Sequence, residues 1–440
     1  MNSNNVFIDV FSTISMYIEE NNYRFKFKKK DISLFLHIFK SVKDPRVKGR
    51  TTYKLENILT IVMYLVLIGR FKSFNYASMY IEENVHEFKK LGLIEHKNIP
   101  SHDLFRYVFM VLDANSLRDS IISKFKYLSF KMLETAGVNI DKKLNLVVGD
   151  GKEFKSSGRN KDCLNPLGNK NVFNVYDASI GIVKSSTVID DKTNEIPEAQ
   201  NIFNKYNLNK CIVTMDALHC QSKTSQIIIK RGGNYVLTVK SNQKLLYKEI
   251  IARMEKNKDS LIKKSYNKID YSILILPDNY STFEFEKIRA FIQIKSHKRG
   301  KRSEEISRYF ISSSDDINVI IATIDNRWEL ENNPHRIKDE LFNEDNYRFT
   351  DKNAIKVMAV FNNIAFSFFR LASAFMNTTS QRAKIRFERD PIGIATSLIP
   401  LMTNKNFEEQ LRSHLKGRQT KNCQWNQFKL FQKNTQNKNR

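Results

Sequence analysis

Two aspartates each end a short apolar run: Asp150 closes NLVVGD and Asp216 closes CIVTMD. Such runs read as buried strands, so each carboxylate is expected at the carboxyl end of a strand. If the two strands are adjacent and parallel, both carboxylates come within reach of one cation. A hard, octahedral ion such as Mg²⁺ prefers oxygen ligands of this kind and keeps several waters. Two such ions about 4 Å apart activate an attacking oxygen and stabilise a leaving oxygen in an in-line phosphoryl displacement. Taken singly, each Asp has an ordinary reading as well, because Asp commonly ends a strand or caps the next helix.

That chemistry needs a third acid, and Glu331 is the candidate, within Asn326–Asn332 (NRWELEN). Arg327 lies one helical turn before it and Lys338 two turns after it, so all three share one helical face. A carboxylate between two cations suits a metal ligand beside a phosphate backbone. An ordinary salt-bridged surface face has the same pattern. Lys152, two residues after Asp150, and Lys240, at the end of a further strand, are candidates to steady phosphates.

The elements that must position these residues follow from periodicity. Residues 1–140 read as helical, with apolar positions at helical spacing through Ile32–Phe39, Leu55–Ile68 and Leu104–Leu112. A Ser or Asp cap is expected before the last of these, in Asn98–Asp103 (NIPSHD). From about residue 143 strands appear: Leu144–Gly149, then a pair at Asn171–Ser179 and Gly181–Asp190. A helix over Glu195–Tyr206, the strand Cys211–Met215, a helix over Gln221–Lys230 and the strand Tyr235–Val239 follow. This order predicts a mixed α/β sheet with helices on both faces, where ligand sites gather at the carboxyl ends of strands. Residues 268–313 read as a β insertion or subdomain, and its basic turn Lys295–Arg302 (KSHKRGKR) carries Lys298, Arg299, Lys301 and Arg302. Helical periodicity returns from about Ile317 and again over Lys352–Met376.

Composition bounds the partners. The chain has 440 residues with 72 Lys+Arg against 47 Asp+Glu, a formal net charge of +25. An excess of that size favours a polyanion, of which nucleic acid is the commonest. An AT-rich genome, which inflates Lys, Asn and Ile, is the plainer source of the same bias. Arg24–Lys30 (RFKFKKK), the turn Lys43–Arg50 (KDPRVKGR) and the acid-free tail after Glu409 add local clusters of basic residues. Four cysteines (Cys163, Cys211, Cys220 and Cys423) without a C-x-x-C pair argue against a disulfide framework or zinc ribbon and fit a cytosolic protein. His219 and Cys220 follow Asp216 closely, but no second His/Cys cluster supports zinc, and a packed helix start is the better reading. His102 reads as a cap or loop residue. No secretory signal or membrane-length apolar run is present in the sequence.

The motifs in order resemble the DDE transposases of bacterial insertion sequences, specifically the ISAs-one type and its H-repeat-associated relatives. The matching pieces are DPR (Asp44–Arg46), IPSHD (Ile99–Asp103), GDGK (Gly149–Lys152), NEIPEA (Asn194–Ala199) and CIVTMDALHCQ (Cys211–Gln221). They continue with GGNYVLTVKSNQ (Gly232–Gln243), RYFISS (Arg308–Ser313), LEN (Leu330–Asn332) and NEDNYR (Asn343–Arg348), spanning roughly residues 40–375. The resemblance implies a ribonuclease-H-like catalytic core with a β-rich insertion, preceded by an all-helical DNA-binding region. Its boundaries are 1–140 for the helical part, 141–377 for the catalytic part with the insertion at about 258–315, and 378–440 for the basic tail.

The resemblance implies a catalytic and metal-binding triad of Asp150, Asp216 and Glu331, with two Mg²⁺ ions for which Mn²⁺ substitutes. DNA contacts are expected from Lys152, Lys240, Arg327, Lys338, Lys298, Arg299, Lys301 and Arg302. The implied partners are double-stranded DNA, as element ends and target, and a second copy of the chain, in the cytoplasm at the nucleoid. Arg327–x3–Glu331–x6–Lys338 matches three of the four positions of the Tyr–Arg–Glu–Lys signature, and Ile324 stands where the Tyr would be. Pro334 removes the N–H that would reach Leu330, so a kink is expected one turn beyond Glu331. A transposase-derived protein that binds DNA without cutting it is the alternative, and a nuclease without strand transfer is a third reading.

Overall fold

The computed structural model describes Phe7 and residues 33–394, apart from 96–98, 121–143, 155–156, 158–169, 179–181, 190–194, 267–268, 279, 298–304, 343, 345–346, 348, 377 and 392–393; at 328–337 it describes the helical backbone alone. Five helices come first: α1 (Ser33–Lys40), α2 (Leu55–Leu67), α3 (Phe74–Glu83), α4 (Val85–Lys90) and α5 (His102–Val111). Ser101 caps α5 as expected, its side chain accepting the Leu104 N–H at 3.3 Å. The segments Arg24–Lys30 and 378–440 lie wholly or mostly outside the described residues.

The sheet begins with β1 (Asn145–Phe154), β2 (Lys170–Asp177) and β3 (Ile182–Ile189). Helix α6 (Glu195–Lys205), β4 (Cys211–Met215), α7 (Ser222–Lys230), β5 (Asn234–Val239) and α8 (Lys244–Lys256) follow. Then come β6 (Ile262–Tyr266), β7 (Ile269–Ile275), β8 (Ala290–His297) and β9 (Glu305–Ser312). Three helices complete the described chain: α9 (Ile317–Phe342), α10 (Lys352–Phe375) and α11 (Ser380–Arg389).

All nine strands join one mixed sheet in the order β3-β2-β1-β4-β5-β9-β8-β7-β6. Strands β1, β4 and β5 run parallel, and every other pair is antiparallel. The stretch read as a β insertion or subdomain adds its strands to this sheet. The strands from residue 262 onward pair through β9 with β5 and extend the same sheet.

The parallel-paired parts of the central strands are mainly apolar because both of their faces are covered. On one face Leu146, Val148, Ile212 and Val236 pack with residues of α9, α10 and the N-terminal helices. On the other, Val147, Val213, Met215 and Leu237 pack with residues of α6, α7 and α8. The N-terminal helices share the first of these cores. Phe109 of α5 stacks on Phe361 of α10 at 5.8 Å between ring centres. Asn353 at the start of α10 donates to the carbonyl oxygens of Phe109 and Leu112, at 3.0 and 2.8 Å. Among the described residues no helix is long and apolar enough to cross a membrane.

Candidate active site

The two aspartates stand at matched positions on neighbouring parallel strands: Asp216 directly follows β4, whereas Asp150 lies within β1, which pairs with β2 as far as Phe154 instead of closing at Gly149 as expected. Gly149 of β1 is the register partner of Met215 of β4, so Asp150 and Asp216 are the next residues on each strand. Side chains alternate across a strand. Both aspartates therefore fall on the face of Leu146, Val148 and Ile212, which α9 and α10 cover. Both are half-buried. Asp216 Oδ1 accepts the Leu218 N–H at 3.0 Å and caps the single turn Ala217–His219. Its other oxygen has no hydrogen-bond partner among the described residues.

Glycines on both sides of Asp150 make room for what lies behind the strand. A Cβ at Gly149 would stand 2.8 Å from Phe173 Cζ and 2.9 Å from Met215 Cγ, and one at Gly151 would stand 2.2 Å from Glu195 Oε1. Glu195 is not loose, because its Oε1 lies 2.9 Å from His219 Nε2, and His219 is 1% exposed. The pair joins the turn after Asp216 to the start of α6, whose Glu195 carboxylate lies against Gly151 of β1. Cys220 beside it is buried, and burial pushes its thiol far above the usual range, which makes it a packing residue rather than a nucleophile.

Helix α9 crosses the same face. Arg327 is 5% exposed and donates from Nη1 to the Met215 carbonyl oxygen at 2.5 Å and to Thr238 Oγ1. Eleven residues on, Lys338 is 2% exposed and donates to Asn363 Oδ1 of α10. Asp150 is close enough to act electrostatically on the Lys338 ammonium. At about 100° per residue, the Glu331 position lies about 40° from Arg327 around the helix, with Lys338 at about 20°. Along the helix axis the backbone position of Glu331 falls between Arg327, which touches down beside Asp216, and Lys338, near Asp150, on the same side of the helix. Helix α9 continues through Pro334 to Phe342.

The charged groups around Asp150 form a closed set. Lys152 Nζ lies 2.6 Å from Glu344 Oε2 and also bonds Asp339 Oδ1. Burial alone would raise the carboxyl of Glu344, but the ammonium groups of Lys338 and Lys152 outweigh it and hold the group below its usual range. Burial lowers Lys338, and Glu344 only partly offsets it. Asn362 Nδ2 donates to Glu344 Oε1 at 3.0 Å. From Lys338 a hydrogen-bond chain runs back to the sheet. Asn363 Nδ2 donates to Ser186 Oγ at 2.7 Å, and Ser186 Oγ donates to Asn174 Oδ1 at 2.5 Å. Asn174 is the register partner of Asp150 on β2.

The family described as Transposase DDE domain matches residues 148–368, which spans this whole arrangement and half of the chain. The chain belongs to the DDE transposases. A second family, described as DDE_Tnp_1-associated, matches residues 36–123 of the transposase. It is 26% identical to the Escherichia coli (strain K12) protein YbfL over 74% of this chain and 87% of the other. It is 25% identical to the H repeat-associated putative transposase YhhI of the same organism, with the same coverage. Bacterial insertion-sequence transposases are thus its relatives, as the motif order implied. Among solved structures, a piggyBac transposase synaptic complex with hairpin DNA matches with a TM-score of 0.39 and 12% identity, covering 93% of this chain and 85% of that one.

Three cations expected at a phosphate backbone have protein partners in the transposase instead. Arg327 and Lys338 lie on the buried face of α9, and the Lys152 side chain is 8% exposed between Asp339 and Glu344. Periodicity alone could not tell the buried side of a charged helical face from the exposed one. Lys240 is exposed at the end of β5. Lys298, Arg299, Lys301 and Arg302 lie outside the described residues. In the turn KDPRVKGR, Arg46 is 8% exposed, and its Nη2 donates to Asp44 Oδ2 at 2.8 Å and to the Tyr53 carbonyl oxygen at 2.9 Å. It braces its own loop.

Asp339, Glu344 and Asn363 escaped the sequence reading. The signal available was NEDNYR, whose Glu344 is 2% exposed, together with the asparagine pair that interrupts the apolar helix α10. Polar residues inside an apolar helix mark a buried network more often than a surface.

Proposed function

We propose that the transposase cuts DNA at the ends of an insertion sequence and joins the freed 3′-OH to target DNA. Asp150, Asp216 and Glu331 are the acids assigned to this chemistry. The observation that carries the reading is the register of β1 on β4, which puts Asp150 within β1 level with Asp216 just beyond β4, on the face that α9 crosses. The order β3-β2-β1-β4-β5, with β2 antiparallel and β4 and β5 parallel to β1, supports a ribonuclease-H-like core.

The donor set fits a hard divalent cation. It consists of carboxylates, its two aspartates are half-buried, and one oxygen of Asp216 is fixed by the Leu218 amide while the other has no protein donor among the described residues. Asp150 and Asp216 would hold such an ion, with Glu331 completing the set, and Mg²⁺ or Mn²⁺ is the ion we expect. When bound, it supplies Lewis-acid stabilisation of the attacking and leaving oxygens at phosphorus.

The protein's own residues supply the positioning. Arg327 anchors α9 at the residue before Asp216, so the helix cannot slide along the strand ends without losing two hydrogen bonds. The Glu195–His219 pair ties the turn after Asp216 to the start of α6. Lys152 and Lys338 hold Glu344 and Asp339 inside the fold beside Asp150. Joining two ends in one event calls for two copies of this site, so a dimer on DNA belongs to the proposal.

The test is strand cleavage and joining on a DNA fragment that carries the sequences flanking the gene. It compares Mg²⁺, Mn²⁺ and EDTA, and wild type with Asp216→Asn. Metal-dependent cutting that disappears in the variant, with joined products in the wild type, supports the reading. DNA binding without cutting in the wild type overturns the enzymatic reading in favour of DNA binding alone. Cut but never joined products would mean a nuclease.

A further inference from the structure

Ser186 lies on the hydrogen-bond chain from Lys338 to Asn174 and also lines a cavity of about 450 Å³. The cavity wraps the outer edge of β3, the edge strand of the sheet. Lys205 and Tyr206 at the end of α6 line one side, Lys356 of α10 lines the other, and Arg118 from the helical stretch 114–120 closes it. Ser186 and Thr187 also line it, and among the described residues no Asp or Glu does.

Three cations therefore converge on one concavity. Arg118 shares part of its charge with Asp119, 2.9 Å away. Lys205 is exposed, Lys356 is half-buried, and neither has an acidic partner among the described residues. Like charges facing a common hollow repel one another, and an anion in that hollow relieves the repulsion. The edge of β3 adds backbone N–H groups of the kind a phosphate oxygen uses.

The cavity's place in the sheet says which anion. Asp150, Asn174 and Ser186 are register partners across β1, β2 and β3. Two strand spacings, about 10 Å, thus separate the Ser186 position from the Asp150 position along one row. Lys356 lies two turns of α10 before Asn363, which bonds Ser186, while Phe366 further along α10 meets Tyr176 of β2. The helix thus runs back toward the carboxyl end of β1 as it approaches Lys356. The cations and the two aspartates accordingly share one end of the sheet. A nucleic-acid strand whose phosphate sits at the aspartates continues to either side with further phosphates within this range.

We propose that this cavity holds a backbone phosphate of the DNA engaged at Asp150 and Asp216, outside the bond that is cut. The inference rests on the transposase reading, and its test separates the two. The full-length chain is compared with the Lys205→Gln/Lys356→Gln double variant in EDTA, where binding is measured without cutting. The readout is the dissociation constant for a duplex carrying the flanking end, over a range of salt. Loss of one phosphate contact lowers the slope of log affinity against log salt by about 0.9. A decrease of that size, with an unchanged melting temperature and recovery in Lys356→Arg, supports the site.

An unchanged slope in the double variant, while the wild type binds DNA, overturns this inference and leaves the transposase reading intact. A wild type that binds no DNA overturns both. Inorganic phosphate and pyrophosphate are titrated in parallel by thermal shift. A stabilisation that vanishes in the double variant, with the DNA salt slope unchanged, assigns the cavity to a free phosphate compound and overturns the DNA assignment.

Discussion

Arg327 donates from Nη1 to the carbonyl oxygen of Met215 at 2.5 Å, and so ties the middle of α9 to the residue that precedes Asp216. The guanidinium also bonds Thr238 on β5, so a single side chain links the helix to two parallel strands at their carboxyl ends. A planar fork with several donors can do this, and an ammonium on a flexible stem cannot do it with the same geometry.

Arg327→Ala should therefore damage both stability and chemistry. A hydrogen bond to a charged donor is worth about 1.5–3 kcal/mol, and the variant removes two while leaving polar acceptors behind. Urea unfolding should show a loss of about that size or more. Arg327→Lys should keep much of the stability and still cut poorly, because one donor cannot hold both acceptors. Equal cutting by wild type and Arg327→Lys, at equal stability, would show that the anchor does not position the site.

Gly151→Ala tests the layer behind Asp150. The new Cβ would lie 2.2 Å from Glu195 Oε1, so the carboxylate must move and its contact with His219 must break or shift. Overpacking of this kind costs about 1–3 kcal/mol. A lower melting temperature is expected, with partial restoration in Gly151→Ala/Glu195→Ala, where the obstructing carboxylate is gone. Additive rather than compensating effects in that cycle would contradict the contact.

Asp216 has two separable roles, and two variants divide them. Asn keeps an oxygen that accepts the Leu218 N–H, so Asp216→Asn should fold like the wild type. It loses the carboxylate charge, and cleavage should fall by at least about 100-fold, the upper end of what loss of a mere supporting partner to a metal ligand costs. Asp216→Ala loses the cap as well and should be about 1 kcal/mol less stable than Asp216→Asn. Full cleavage by Asp216→Asn would remove the residue from the chemistry.

Much of this site was legible in the sequence because its strands are short, apolar and buried on both faces. CIVTM reads as a strand, and the structure places β4 over those same five residues with Asp216 next in line. The antiparallel pair before it and helices α6 and α7 also stand close to their expected bounds. The joining of β9 to β5 was not legible, since Val236 and Ser312 are register partners that local periodicity cannot connect. Nor was the burial of Lys338 and Glu344. A charged residue reads as exposed unless its partner is known, and here the partners come from other elements, Lys152 of β1 and Asn362 and Asn363 of α10.

Glu344 gives the molecule a specific acid limb. The Lys338 and Lys152 ammonium groups overcome the effect of burial and hold its folded pKa below the ordinary 4.5. A group depressed in this way contributes stability that is fully present above its unfolded pKa and is lost as pH falls through the folded value. Unfolding free energy should therefore decline as pH drops below about 4.5. In Glu344→Gln the two ammonium groups lose a buried carboxylate, so stability at pH 7 should fall by about 3–5 kcal/mol. The same variant should show a shallower decline between pH 5 and pH 3, since the titrating group is gone. Urea midpoints measured across that range for both proteins check the sign. Parallel curves would assign the acid sensitivity to other carboxylates, and a more stable variant at pH 7 would mean that the buried charges cost more than their pairing returns.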